Sequence, residues 1–396
     1  MLHEGNALSE AEKFIDTLPR WRGRGIVIVA GGARYFTNAW VCLSMLRRWH
    51  CRLPVELWHL GPHEMDGRMK ELVARFDVTC VDGLAVRERH PARILNGWEL
   101  KAYAILHSRF QEVLLLDADN MPLRDPEYLF EVPQYLRTGA IFWPDRGRLG
   151  RDRAIWKLCG VPFHDEPEFE TGQIVVEKAR CMAALRLAMW YNEHSDFFYQ
   201  HIHGDKETFH LAWRKLGADY AMPSKGVCDL DGNMCQHDFD GHRIFQHRGN
   251  HKWSLREDSH VAGFLYEPEC REYLEELRAA WDGKIAPVPL PPVATSAAEQ
   301  EVAETLLNRI FHYYVEREYR EMTFLPTGRI GLGLRENEKF WRIRRSDGPP
   351  VLHISSERNT FALIRQNDGT WHGQWPWNER LPVRVVDRAP ATDGRT

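Results

Sequence analysis

The stretch Gly25-Ile26-Val27-Ile28-Val29-Ala30-Gly31-Gly32 is apolar, rich in β-branched residues and ended by glycines, with no polar residue alternating through it. Such a run is the pattern of a strand covered on both faces, as in a parallel sheet. Phe36 to Arg48 follows at helical spacing, Val55 to Leu60 reads as the next strand, Met65 to Phe76 as a second helix and Val78 to Val81 as a short strand. Another uninterrupted run, Val113 to Leu116, comes later. This alternation predicts an open, doubly wound α/β sheet, mostly parallel and flanked by helices. Ligands of such sheets lie beyond the carboxyl ends of the strands.

The ends of the chain read differently. Ser9-x-x-Glu12 ahead of Phe14, Ile15 and Leu18 predicts a capped helix within residues 1–22. The main α/β domain is expected over 23–280 and a linker over 281–297, where Ala286 to Val293 carries four prolines. A helix is predicted over 298–322 and a small antiparallel β domain over 323–390. The latter rests on alternating runs such as Ile330-x-Leu332-x-Leu334 and Trp341-x-Ile343, with turns at Asp347-Gly348 and Asp368-Gly369. Trp341, Trp371, Trp375 and Trp377 fall in this tail. Aromatic faces can stack on sugar rings, but a small β domain needs large aromatics to fill its core, and core packing is the reading adopted.

Composition narrows the classes. The 396 residues are 43% hydrophobic and 27% charged, with a formal net charge of -4, so no global basic field draws nucleic acid. The eight cysteines form no CxxC pair, so neither a zinc ribbon nor a disulfide framework is legible and buried free thiols are expected. No apolar run approaches the ~18 to 20 residues of a membrane span, and Met1 to Asn6 has neither a basic nor an apolar leader pattern. A cytoplasmic protein without a transmembrane segment is the expectation.

The candidate chemistry begins where Val113-Leu114-Leu115-Leu116 stops on Asp117-Ala118-Asp119. Side chains on a strand repeat every second residue, so both carboxylates can lie on one side of the sheet edge. Mg²⁺ or Mn²⁺ takes one or two carboxylates and completes its shell with water and substrate phosphates. A strand ending in an ordinary Asp-Asn turn is the plain alternative. The glycine turn at Ala30-Gly31-Gly32 would lie at the same edge. It is not GxGxxG, and no GxxxxGK[ST] occurs, which removes dinucleotide and P-loop readings.

Several motifs in order carry a resemblance. Gly97-Trp98-Glu99-Leu100-Lys101-Ala102-Tyr103-Ala104, Val113 to Asp119, Asn120-Met121-Pro122-Leu123-Arg124-Asp125-Pro126 and Leu129-Phe130 resemble the donor-site core of GT-A glycosyltransferases. So do Phe142-Trp143-Pro144-Asp145, Glu170-Thr171-Gly172-Gln173-Ile174-Val175-Val176, Gly204-Asp205-Lys206-Glu207-Thr208-Phe209 and Gln246-His247-Arg248-Gly249-Asn250-His251-Lys252-Trp253. The chain is similar above all to the α-mannosyltransferases of glycosyltransferase family 71, and more distantly to the glycogenin-type family. The likeness spans roughly residues 22 to 255.

The resemblance implies a Rossmann-like nucleotide-diphospho-sugar transferase fold and a set of roles. Asp117, Asp119 and His247 would hold Mn²⁺ or Mg²⁺, with Asp117 also on the ribose. Ala30, Gly31, Gly32, Tyr35, Lys101, Ala118, Arg248, Gly249 and Lys252 would bind the donor; Lys252 would neutralise the departing diphosphate, with Arg248 as its substitute. Lys101 could instead be an exposed helix lysine. Glu170, Gln173, Asp205 and Lys206 would hold the donor sugar and the acceptor and form the catalytic set, Asp205 being otherwise a helix cap.

The implied activity is metal-dependent transfer of a hexose, possibly mannose, from a GDP- or UDP-linked donor to a glycan, glycolipid or protein hydroxyl, with retention of configuration. A sugar-nucleotide hydrolase or nucleotidyltransferase, and a noncatalytic carbohydrate- or protein-binding module on a degenerate transferase fold, are the alternatives.

Overall fold

The computed structural model describes residues 21–387 apart from 316–317, 336–337, 346–347, 357–359 and 376–377, with the backbone alone at 318, 375 and 378–381. The helix expected around Ser9 and Glu12 lies outside the described residues. The chain divides into two compact units: one built on residues up to Leu60 and Glu64–Ile285, the other on Gly61–His63 and the residues from Ala286 onward.

The first unit alternates as predicted. Strand β1 (Arg24–Val29) leads through Gly31 into helix α1 (Gly32–Arg48), followed by β2 (Val55–His59), α2 (Gly67–Val73) and β3 (Val78–Asp82). The Asp66 carboxylate caps α2 by accepting from the Met69 N–H. Helix α3 (Glu99–His107), β4 (Glu112–Asp117), β5 (Asn120–Pro122), β6 (Ala140–Pro144) and β7 (Phe169–Glu177) come next. The sheet order is β3-β2-β1-β4-β7-β6. The first four strands are parallel, while β7 runs antiparallel to both β4 and β6.

Burial explains why the central strands carry no alternation. Ile26 and Ile28 of β1, with Leu114 and Leu116 of β4, enter the apolar core on one face of the sheet. Val27, Val113 and Leu115 enter the core on the other. Helices α4 (Lys178–Glu193) and α5 (Asp205–Leu216) cover one face, and α6 (Glu267–Ala280) packs on α1 at the other. A small antiparallel sheet, β5-β10-β9-β8, is built from β5, β8 (Cys228–Leu230), β9 (Asn233–His237) and β10 (Arg243–His247). It brings a late part of the chain to the edge where β4 ends. All eight cysteines are free thiols, and six are buried.

The second unit departs from the expected helix over 298–322. Helix α7 ends early (Ala297–Glu304), and β11 (Phe311–Val315) and β12 (Glu318–Met322) pair antiparallel. Ser296 caps the start of α7, and Asn308 takes a left-handed backbone (φ 57°) that breaks the path beyond it. Phe311 and Tyr313 then face the core while His312 and Tyr314 do not, a strand period that aromatic and β-branched residues favour. The sheet therefore starts at Phe311 rather than at 323. It continues through β13 (Phe340–Arg344), β14 (Val351–Ser355), β15 (Thr360–Arg365), β16 (Trp371–Trp375) and β17 (Asn378–Asp387), in the order β12-β11-β17-β16-β15-β14-β13. Trp341 and Trp371 are buried in its core, as the packing reading holds. Trp377 and the Trp375 side chain lie outside the described residues.

Candidate active site

Strand β4 pairs with β1 so that Asp117 stands opposite Val29, at the carboxyl edge of the parallel strands. The chain turns at Ala118 and enters β5, whose Asn120 pairs with His247 of β10. One backbone bond, Arg248 N–H to the Asp119 carbonyl at 3.0 Å, locks this junction. The ladder thus sets the imidazole beside the Asp-x-Asp pair. His247 Nε2 lies 3.3 Å from Asp119 Oδ1 and 3.8 Å from Asp117 Oδ2.

Three ligand atoms, one from each of Asp117, Asp119 and His247, fall within 4.8 Å of one another. Two carboxylate oxygens and an imidazole nitrogen this close together form a donor set that suits Mn²⁺ and accommodates Mg²⁺. The other ring nitrogen, Nδ1, is buried without a hydrogen bond, 3.5 Å from Glu170 Oε1. Gly172 makes this packing possible: a Cβ there would lie 2.7 Å from His247 Nδ1 and 2.8 Å from Glu170 Oε1. Gly172→Ala is expected to push the imidazole off the carboxylates and weaken Mn²⁺ binding about 10- to 100-fold, read by calorimetric titration. Unchanged affinity would separate His247 from the ion.

Cations hold the carboxylates in place. Lys101 of α3 is buried, not an exposed helix lysine, and its ammonium sits 2.8 Å from Asp117 and 3.3 Å from Asp205. Lys252 pairs with Asp119. Burial alone would raise Asp119, yet His247 and Lys252 pull it well below the carboxylate range. Asp117 is raised by burial, against the pull of Lys101 and His247. Burial opposes the charge on His247, but Asp119 and Glu170 outweigh it and raise its pKa well above that of free imidazole. Lys101 is raised because Asp117 and Asp205 overcome its burial. Glu170 is lowered because His247 and Lys101 overcome its own.

The remaining predicted residues divide. Leu116 pairs with Gln173 in the β4–β7 ladder, which places Gly172 and Glu170 at the same sheet edge. The Glu170 carboxylate accepts the Gly172 N–H at 2.8 Å. Asp205 is the first residue of α5 rather than its cap, Gly204 taking that position, and its carboxylate accepts from the Thr171 hydroxyl at 2.8 Å. Lys206 is held by Asp145 and, at 2.7 Å, by Glu168. At the glycine turn, Glu64 fills the space a Gly31 side chain would need, and the Gly32 N–H donates to the Glu64 carbonyl. Ala30 is buried and its N–H donates to the Trp58 carbonyl, while Tyr35 is exposed with its ring 5.7 Å from the Lys252 ammonium. Gly249 lies in the loop that carries Lys252.

Arg248 is the correction. It is fully buried, donates to Glu267 at 3.0 Å and to the Ser259 hydroxyl and carbonyl, and stacks on Trp253 at 3.8 Å. A guanidinium used up in this way is a structural cation, not a donor-binding one. Its alternation is the reason: His247 faces the site from β10, so the next residue points to the opposite side.

Two groups, the buried Asn120 and the half-buried Glu64, escaped the sequence reading. Asn120 donates to the Gly172 carbonyl at 2.8 Å and to Gln173 Oε1 at 2.5 Å, leaving Gln173 Nε2 without a partner. Its place directly after Asp119 is the one sequence signal for it, and an Asp-Asn turn accounts for the same residues. Glu64 came from a loop with no motif. Beside Lys252 a cavity of about 490 Å³ is lined by Ala33, Arg34, Thr37, Asn250 and Asp258 among others.

The profile of a family described as mannosyltransferase matches residues 23–158 and 163–234. Alpha-1,2-mannosyltransferase MNN2 of Saccharomyces cerevisiae is 27% identical over 277 residues, covering 55% of this chain and 46% of its own. Alpha-1,2-mannosyltransferase MNN21 of Candida albicans is 25% identical over 292 residues, covering 57% and 43%. The chain spans about half the length of these curated relatives. Among solved structures, mouse xyloside xylosyltransferase 1 in its apo form aligns with a TM-score of 0.37 and 14% identity, covering 51% of this chain and 85% of that one. The matched profile takes in β1, the Asp-x-Asp edge, and the Glu170 and Asp205 segments, over more than half of the sequence, and on that ground the chain belongs to the mannosyltransferase family.

Proposed function

We propose that this chain is a metal-dependent glycosyltransferase of GT-A type that moves mannose from a nucleotide-diphosphate sugar, GDP- or UDP-linked, to a hydroxyl of a glycan, retaining anomeric configuration. The observation that carries the reading is the convergence of Asp117, Asp119 and His247 at the sheet edge, with Lys252 beside them. The names of the curated relatives support mannose as the sugar.

A divalent ion held by Asp117, Asp119 and His247 would neutralise charge on the leaving diphosphate. Lys252 would turn from Asp119 toward the phosphates and stabilise the same developing charge. The cavity at Arg34 and Lys252 has room and cations for part of the nucleotide. Lys101 holds the Asp117 and Asp205 carboxylates in fixed positions. Gln173 Nε2, buried without a partner, would donate to a sugar hydroxyl, and the ionised Glu170 would accept from one.

A thermal-shift panel of GDP, UDP, CDP and ADP, each with and without Mn²⁺, tests the reading. A ligand that binds only the folded state raises the melting temperature, by ~2.7 kcal/mol of added stability at a hundredfold excess over Kd. One diphosphate is expected to stabilise strongly, and only with the ion. No shift with any of the four would favour a noncatalytic binding module.

A further inference from the structure

We infer that Trp98 is a stacking platform for a sugar ring of the acceptor, an inference that rests on the transferase reading above. Trp98 stands just before α3 with 53% of its surface exposed, unusual for the largest apolar side chain. Its indole is nevertheless held. Gly204 lies against it so closely that a Cβ there would be 3.0 Å from Cε3 and 3.1 Å from Cζ3, and the Tyr199 ring sits 6.0 Å away. Tyr199 is fixed in turn by donating its hydroxyl to Asn192.

Position names the occupant. The Trp98 carbonyl accepts the Lys101 N–H, so Trp98 stands one backbone turn ahead of the lysine whose ammonium bridges Asp117 and Asp205. Gly204, under the ring, directly precedes Asp205. From the Asp119–Lys252 end, where the diphosphate belongs, the site runs through Asp117, Lys101 and Asp205 to Trp98. The far end from the phosphates is where the attacked sugar and its acceptor meet. Pyranose rings present an apolar C–H face, and a rigid indole backed by glycine offers that face a flat surface at little entropic cost.

The test measures methyl α-D-mannopyranoside binding by saturation-transfer NMR with GDP and Mn²⁺ present, in wild type, Trp98→Ala and Trp98→Phe. Wild type is expected to bind, Trp98→Ala roughly tenfold more weakly, and Trp98→Phe within about threefold of wild type. With turnover, the loss in Trp98→Ala should fall on the acceptor KM and not on kcat. Equal affinity in wild type and Trp98→Ala, or no binding to wild type, would overturn the platform. Equal weakening in the alanine and phenylalanine variants would do the same, since it would mark a structural role. Failure of the transferase reading looks different: none of GDP, UDP, CDP and ADP with Mn²⁺ would give wild type a thermal shift, while loss of sugar binding in Trp98→Ala would still support the sugar site.

Discussion

Asp119→Asn is expected to lower turnover on the order of 10³-fold while leaving a folded protein. The substitution keeps shape and the backbone carbonyl that accepts from Arg248, so the junction between β5 and β10 survives. What it removes is the charge between His247 and Lys252. Lys252 lines the cavity and can turn into it. The expected pattern is weak Mn²⁺ binding by calorimetry and a circular-dichroism spectrum like that of wild type. Full activity in this variant would remove Asp119 from the metal set.

Arg248→Met should destabilise the fold by about 3 kcal/mol, because it strips a buried carboxylate of its hydrogen-bonded guanidinium and leaves only the more distant Arg271, at 3.6 Å. Glu267 keeps His260 at 2.5 Å and the Val261 N–H at 3.1 Å, which holds the effect below that of a fully stranded charge. The methionine also loses the stack between Trp253 and Phe264. Urea midpoints measure the effect directly. A variant with unchanged midpoint but weakened donor binding would restore Arg248 to the donor site, against its present partners.

The features legible from the chain alone were those with strong local signatures. The runs at Gly25 to Val29 and Val113 to Leu116 lack polar alternation because both faces of the sheet are covered, so their patterning and their burial are the same fact. Asp117 and Asp119 were readable because a strand end imposes a period of two. His247 was reachable through the resemblance alone, since its nearness to Asp119 depends on a ladder between distant segments. Other features turn on tertiary partners. The stretch from Phe311 to Met322 looks helical in length and charge, and only pairing across the sheet makes it two strands. Arg248 reads as a free cation until Glu267 and Ser259, from a separate helix and loop, close around it. Asp145 and Glu168, which engage Lys206, lie far apart in the chain and meet it only in space.

The pairing of Lys252 with Asp119 has a thermodynamic reach beyond holding a loop in place. On the reading proposed above, a cation bound at Asp119 would weaken the hold on the ammonium, which would then find its counter-charge in a diphosphate. Ion and nucleotide would then be linked ligands: each would raise the affinity for the other by the same factor, whichever is varied. The lysine would serve as a built-in competitor for Asp119, so that metal and donor would register as one composite signal instead of two.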